Sequence, residues 1–256
     1  FNSDIFGGQV NATGRLDMRS AVPNFNLQAS LTNIDLQAAL PSIADSDDVT
    51  GLLSLETSIE GAGNNLDEII SALRGAGTLS IMDPHYAAMN TEEMFCNAAA
   101  LFGSGDNRDS WPQGTQFETL TGSYQISGGK LLFKDMNTAT GNISIKSRGT
   151  VQLAQQRFSL IADTRVNGRK TSASGCSVNK TLQNRNLPFV CSGSFDQNGK
   201  TSCKPDDNLI RDLLKGSVYE QIGEQLFKTP VTTDGEEEQQ SDPLKSLLKG
   251  IFDKNR

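Results

Sequence analysis

Residues 8–19 read G-Q-V-N-A-T-G-R-L-D-M-R and carry the pattern from which the fold follows. Val10, Ala12, Leu16 and Met18 fall on one side of an extended chain, and the polar residues between them fall on the other. A period of two is typical of a β-strand that is buried on one face and solvated on the other. The stretch therefore predicts a one-sided strand.

The same alternation recurs along most of the chain. Its apolar members are candidate lining residues of one large apolar sheet face, and they are Val10, Leu16, Met18, Leu27, Leu31, Leu53, Leu55, Ile59, Leu79, Ile81, Tyr124, Ile126, Leu131, Phe133, Ile143, Ile145, Val151 and Leu153. The pattern predicts a mainly β (α+β) fold, a large curved antiparallel sheet that forms an open groove or half-barrel with a few covering helices. A sheet folded on itself as a sandwich is the alternative.

Apolar stripes at helical spacing predict helices at about 66–74, 91–102 and 207–227. Asn65 is the expected cap of the first, and Asn90 or Thr91 that of the second. A further short turn or helix, N-I-D-L-Q-A-A-L, is expected to stop at Pro41.

The predicted domain organisation has three parts. Residues 1–228 form the β-groove domain, 229–242 an acidic flexible linker, and 243–256 an amphipathic C-terminal helix. Leucine, isoleucine and phenylalanine on one face of that last helix, with lysines beside them, suit a membrane surface. Docking onto the sheet or onto a protein partner is the alternative.

The four cysteines are Cys96, Cys176, Cys191 and Cys203, and three of them lie in one polar, loop-like stretch. An even number in that setting predicts disulfides and an oxidising compartment, with four unpaired thiols as the alternative. We expect a Cys176–Cys191 pair. Cys96 points away from its helix stripe and could reach another element.

Charge and residue types narrow the function. A net charge of −7 without a basic stripe argues against nucleic-acid binding. The single histidine, His85, has no nucleophile motif beside it, so we expect no enzyme, no metal and no cofactor. No stretch is apolar enough to span a bilayer. The chain opens on Phe1 almost directly into a strand, which is what a fragment of a longer protein would show.

Several segments in order resemble the C-terminal region of the AsmA family of Gram-negative envelope proteins, across about residues 5–215. They are F-G-G-Q-V-N-A-T-G-R-L-D-M, N-I-D-L-Q-A-A-L, S-I-E-G-A-G-N-N-L-D-E-I-I-S-A-L-R-G-A-G-T-L-S-I-M-D, E-E-M-F-C-N-A-A-A-L-F, F-E-T-L-T-G-S-Y-Q-I-S-G-G-K-L, L-P-F-V-C-S-G-S-F and C-K-P-D. The resemblance implies the periplasmic part of an inner-membrane-anchored protein, related to bridge-like lipid transfer proteins and tied to outer-membrane assembly. It implies no catalytic residues.

Two functions follow from the residues and the resemblance together. The first is a lipid-handling domain that binds phospholipid acyl chains on the apolar face. The second is a structural module whose face is closed by helices and which docks envelope or outer-membrane assembly proteins without binding lipid. A periplasmic hydrolase is a distant third.

Overall fold

The computed structural model describes residues 1–43, 47–100, 110–180, 182–194 and 201–206. In these ranges twelve strands and three helices follow one another. They are β1 (Asn2–Ile5), β2 (Gly8–Asp17), β3 (Asn24–Asp35), α1 (Leu36–Ile43), β4 (Val49–Ala62), α2 (Leu66–Ala72), β5 (Arg74–Tyr86), α3 (Thr91–Ala100), β6 (Thr115–Gln116), β7 (Leu120–Ser127), β8 (Lys130–Thr140), β9 (Ile143–Gln152), β10 (Arg157–Val166), β11 (Asn186–Ser194) and β12 (Thr201–Pro205).

All twelve strands belong to one antiparallel sheet, and apart from the short β6 each strand pairs with the strands before and after it in sequence. The order is β1-β2-β3-β4-β5-β7-β8-β9-β10-β11-β12, and the short β6 pairs with β5 to one side of this path. In the described residues β1 and β12 stand at opposite edges, so the sheet is open. The predicted fold class is confirmed, and the sandwich alternative is wrong because the strands form one continuous sheet.

The strand register explains why the apolar residues share one side. Leu27 pairs with Ile59, Leu31 with Leu55, and Leu55 in turn with Leu79. Directly paired residues in an antiparallel ladder point to the same side of the sheet. Each one-sided strand therefore adds its apolar residues to those of its neighbours. We call this side the apolar face and the opposite side the polar face.

Tight turns keep the ladder in register. The predicted turn S-G-G-K joins β7 to β8 through Gly128 and Gly129, both at positive φ, +58° and +72°. Glycine takes that conformation without the steric penalty of a Cβ, and two such residues suit the twist of a hairpin.

The helices lie at the ends of strands. Asn65 caps α2 as predicted, since its side-chain oxygen accepts from the backbone N–H of Glu68 at 3.0 Å. That helix ends at Ala72, two residues before the predicted end, because Arg74 already begins β5. Asn90 caps α3 through the backbone N–H of Glu93 at 2.8 Å.

Pro41 does not stop the first helix. It lies inside α1, which continues to Ile43, so that prediction is wrong. A proline within a helix removes one backbone donor, and here the chain tolerates the loss because Leu36 and Ala39 of the same helix are buried, 7% and 3% exposed.

Three predicted segments lie outside the described residues. They are the helix at 207–227, the linker at 229–242 and the amphipathic helix at 243–256; residues 101–102 of the second predicted helix also lie outside.

Candidate functional site

The apolar face is continuous across the sheet from β2 to β11. One row of paired positions crosses it as Leu27, Ile59, Gly75, Ile126, Leu131, Val151 and Phe158. In the described strands, none of the paired residues on this side of the sheet is acidic or basic. Such a surface has the chemistry of a hydrocarbon-binding site, because a charge there would lose its hydration when covered.

Glycines on this face are covered by larger neighbours. The Tyr124 side chain lies over Gly77, where an added Cβ would meet its hydroxyl at 2.5 Å, and the ring of Phe25 lies similarly over Gly61. Tyr124 also meets Phe133 edge to face, with ring centroids 6.2 Å apart. These contacts give a packed surface layer without a second sheet above it.

Burial divides the apolar face into two parts. From β2 to β8 the apolar side chains are mostly half-buried, among them Leu27, Leu55, Leu79 and Leu131. Among the described helices, α1 and α2 make extended contacts with this part, α1 with β3 and β4 and α2 with β4. We call it the open part of the apolar face.

The other part, at one end of β9, β10 and β11, is buried. Ile143 and Val166 pair with each other and are fully inaccessible, and Leu187 is 2% exposed. In the same region Phe95 of α3 is 1% exposed and Val178 of the loop that follows β10 is 4% exposed. We call α3 together with residues 167–180 and 182–185 the cap.

Bonds within the cap hold its two pieces together and to the sheet. The Thr171 hydroxyl donates to Glu92 Oε1 of α3 at 2.6 Å. The backbone N–H of Asn142, in the turn between β8 and β9, donates to the Thr171 carbonyl at 2.7 Å. Cys96 of α3 is joined to Cys176 of the loop by a disulfide with a Cα–Cα distance of 6.0 Å.

The disulfides are therefore Cys96–Cys176 and Cys191–Cys203. The predicted pair Cys176–Cys191 is wrong, whereas the inference that Cys96 reaches another element is confirmed. Cys191 pairs directly with Cys203 in the ladder of β11 and β12, with Cα atoms 4.0 Å apart, so its partner is fixed by strand register. Cys176 is held against α3 instead.

The structure brings together most of the predicted lining residues. Leu16, Leu53, Ile81, Ile126 and Val151 all pair into the apolar face. Two predictions do not belong to its strands. Met18 follows the end of β2 and is 71% exposed, and Leu153 lies in the turn after β9. Ile143 and Ile145 lie on the buried part of the face, 0% and 7% exposed.

Simple alternation missed residues that follow β-bulges. Ile34 pairs with Leu53 after a register shift in β3, where Asn33 has a positive φ of +55°. Met136 pairs with Ser147 after a similar shift in β8, so it joins the side of Phe133 despite the odd spacing. One extra residue at a bulge reverses the expected side of everything after it. The sequence marks the bulge in β3 only through Asn33, because asparagine tolerates a positive φ.

The polar face holds a cavity that sequence analysis did not predict. It has a volume of about 800 Å³ and crosses β2–β5, β7 and β8 beneath the open part of the apolar face. Its lining combines apolar residues, among them Phe1 and Ala76, with hydroxyl, amide and charged side chains: Asn11, Thr13, Gln28, Ser30, Glu56, Ser58, Thr78, Ser123, Gln125 and Lys134. Several already bond one another, as Lys134 Nζ does with Gln125 Oε1 at 2.8 Å.

In the part of the chain that the structure describes, the groups whose pKa values are shifted lie at the surface. On the polar face, the hydroxyl and backbone N–H of Ser123 donate to Asp135 and lower the pKa of that carboxyl. At the start of α2, the backbone N–H of Asn64 lowers the pKa of Glu68, and the side-chain amides of Asn64 and Asn65 lower it further. Asp135 thus links β8 to β7, and Glu68 accepts hydrogen bonds at the start of α2.

The described residues contain no group of His, Cys, Asp and Glu arranged to hold a metal ion. They also contain no helix of the length and hydropathy that crossing a bilayer requires.

The architecture defines a class, an open antiparallel sheet with one long uncharged face and a disulfide-linked cap at one end. The family model described as AsmA family matches residues 1–136, more than half of the sequence, and the chain belongs to the AsmA family. It is similar to Protein AsmA of Escherichia coli strain K12, 26% identical over 164 residues. That match covers 63% of this chain but only 26% of the relative, so the chain spans about a quarter of its length.

No solved structure matches the chain. The resemblance inferred from the sequence motifs is confirmed by the family match. Membership of this family suggests an envelope-related function, and together with the two disulfides it fits an envelope or periplasmic location.

Proposed function

We propose that this domain binds phospholipid acyl chains on the open part of the apolar face, as the periplasmic portion of an inner-membrane-anchored protein that takes part in phospholipid transport and outer-membrane assembly. The observation that carries the proposal is the uncharged apolar face from β2 to β8, whose apolar side chains are mostly half-buried, with α1 and α2 as the described helices that make extended contacts with its strands, on β3 and β4.

The dimensions of the face support an acyl-chain ligand. Five strand-to-strand steps separate β2 from β8, which is about 24 Å at the ~4.8 Å spacing of paired strands. One lipid tail occupies half of a bilayer's hydrocarbon core, roughly 15 Å. A single tail therefore fits across the open part with room to move between positions.

The energetics explain why such a surface helps transport without chemistry. Exposing a 16-carbon tail to water costs about 12 kcal/mol at ~0.8 kcal/mol per CH₂. A face that covers one side of the tail removes a large share of that cost. Dispersion and the burial of apolar surface do not require residues in one exact arrangement. The breadth and continuity of the face therefore matter more for acyl-chain binding than any one side chain.

The proposal gives the domain no catalytic step, no cofactor and no nucleic-acid partner. His85, the single histidine, lies on β5 opposite Thr50 and Gln116 in the sheet ladder. The proposal allows envelope or outer-membrane assembly proteins as protein partners. The lipid partner of the domain is phospholipid.

The test compares two glutamates placed three residues apart on the same strand. Leu55→Glu changes the apolar face, and Leu52→Glu changes the polar face, where Leu52 is already 39% exposed. The purified chains would be extracted and examined by native mass spectrometry, with circular dichroism as the check on folding. We expect co-purified phospholipid in the wild type and in Leu52→Glu, and its loss in folded Leu55→Glu.

Lipid-free wild-type protein, or equal lipid in both variants, would contradict the proposal. The first result would favour the docking module, in which the apolar face binds a protein partner and transport takes place elsewhere.

A further inference from the structure

One end of the sheet carries a group of exposed apolar side chains, of which Leu16 alone belongs to the apolar face of the lipid-binding proposal. Leu16 and Met18 at the end of β2 are 61% and 71% exposed, Val22 in the following turn 43%, and Leu66 at the start of α2 70%. Singly exposed leucines are common on proteins, but four large apolar side chains on one rim are a feature that calls for a partner.

Backbone contacts bring these segments together. Gly63, just before α2, donates its N–H to the carbonyl of Pro23 in the β2–β3 turn at 3.0 Å. Val22 and Asp67 line the same shallow hollow, of about 580 Å³. We call Leu16, Met18, Val22 and Leu66 the turn patch.

The size of the turn patch argues against a stable protein partner. Large apolar side chains offer at most about 200 Å² each, so four that are 43–71% exposed offer no more than on the order of 500 Å². A stable protein–protein interface needs ~800 Å² from each side. A bilayer needs no complementary surface, since single protruding side chains can enter its hydrocarbon boundary.

The charges around the turn patch indicate whether a membrane contact there is electrostatic or apolar. Arg15 and Arg19 are balanced by Asp17, Asp67 and Glu68, and Arg19 is already bonded to Asp17. Because there is no excess of positive charge, attraction to anionic lipid does not drive membrane binding by this patch. The driving force is the burial of its apolar side chains.

We infer that the turn patch inserts shallowly into a phospholipid bilayer and places the β2 end of the apolar face at the membrane surface. The two surfaces are continuous, because Leu16 of the patch pairs with Phe25 of the face. This contact does not depend on whether acyl chains occupy the apolar face, so vesicle binding and lipid co-purification test the two ideas separately.

The first experiment uses a fluorophore on the full chain. All four cysteines are in disulfides, so an introduced cysteine is the single free thiol in unreduced protein. Val22→Cys, labelled with a polarity-sensitive dye, is compared with labelled Leu132→Cys on the polar face, where Leu132 is 36% exposed. Neutral phosphatidylcholine vesicles should shift the Val22 dye to the blue and leave the Leu132 dye unchanged. No shift at position 22, or equal shifts, would overturn the inference.

The second experiment measures vesicle co-flotation of Val22→Ser/Leu66→Ser against the control Leu52→Ser/Met82→Ser, whose residues are 39% and 40% exposed elsewhere. We expect at least roughly fivefold weaker partitioning for the turn variant alone, independent of salt and of anionic lipid, with co-purified lipid retained. Undiminished binding that is lost instead in Leu247→Ser/Leu248→Ser would assign membrane contact to residues 243–256 and overturn the inference. Absence of binding by the wild type would do the same.

Discussion

Removing the Cys96–Cys176 disulfide should cost more stability than removing Cys191–Cys203. The first bond joins residues 80 positions apart and the second joins residues 12 apart. Loop-closure entropy in the unfolded chain gives about 4.5 kcal/mol for the longer loop and about 2.8 kcal/mol for the shorter. The long bond also ties α3 to the loop of the cap, whereas Cys191 and Cys203 lie on strands that the ladder already pairs.

The assay is denaturant unfolding of two double variants, Cys96→Ala/Cys176→Ala and Cys191→Ala/Cys203→Ala, against the wild type without reductant. We expect the first variant to lose about 1.7 kcal/mol more of its unfolding free energy than the second. Peptide mapping of the unreduced wild type should recover Cys96 linked to Cys176. An equal or larger loss in the second variant, or a mapped Cys176–Cys191 link, would refute the reasoning.

Three further predictions concern single residues. Phe95→Ala removes a side chain that is 1% exposed and leaves a cavity. We expect denaturant unfolding to show a free energy of unfolding lower by roughly 3–5 kcal/mol, which is the usual cost of such a cavity. Thr57→Val removes a buried hydroxyl that has no hydrogen-bond partner among the described residues, and thermal unfolding should show a gain of about 1 kcal/mol; a loss would contradict that account. Hydrogen bonds from Asn64 and Asn65 lower the pKa of Glu68 in the folded state. The Glu68 carboxylate therefore stabilises the fold fully above its unfolded-state pKa, and this stabilisation is lost as the pH falls through the folded-state pKa. Glu68→Gln should flatten the acid limb of the pH–stability curve, and an unchanged limb would show that the bonds do not stabilise α2.

Much of the fold could be predicted because the sheet is built from neighbours in sequence. Where a strand keeps strict alternation, as β2 does around Val10 and Ala12, the pattern alone places each residue on its side of the sheet. Local chemistry was equally direct at Asn65, where a short polar side chain before an apolar stripe specifies a helix start.

What could not be predicted depends on register. The side of Met136 follows from a bulge that leaves no clear sequence mark. Cys191 meets Cys203 because two strands pair at that residue, and Cys176 meets Cys96 because a loop folds against α3; neither distance can be read from spacing along the chain. The extent of the open part was hidden from the sequence as well, since Ile143 and Ile145 continue the apolar pattern although they are buried in the fold.

The central claim is that acyl chains contact the open part of the apolar face, and site-specific photocrosslinking tests it most directly. A photoreactive amino acid would replace Leu55 in one chain and Leu52 in another, neighbours on β4 that point to opposite sides of the sheet. After irradiation in the presence of phospholipid vesicles, we predict a lipid adduct by mass spectrometry at position 55 and none at position 52. An adduct at position 52 alone, or none at position 55, would contradict the account.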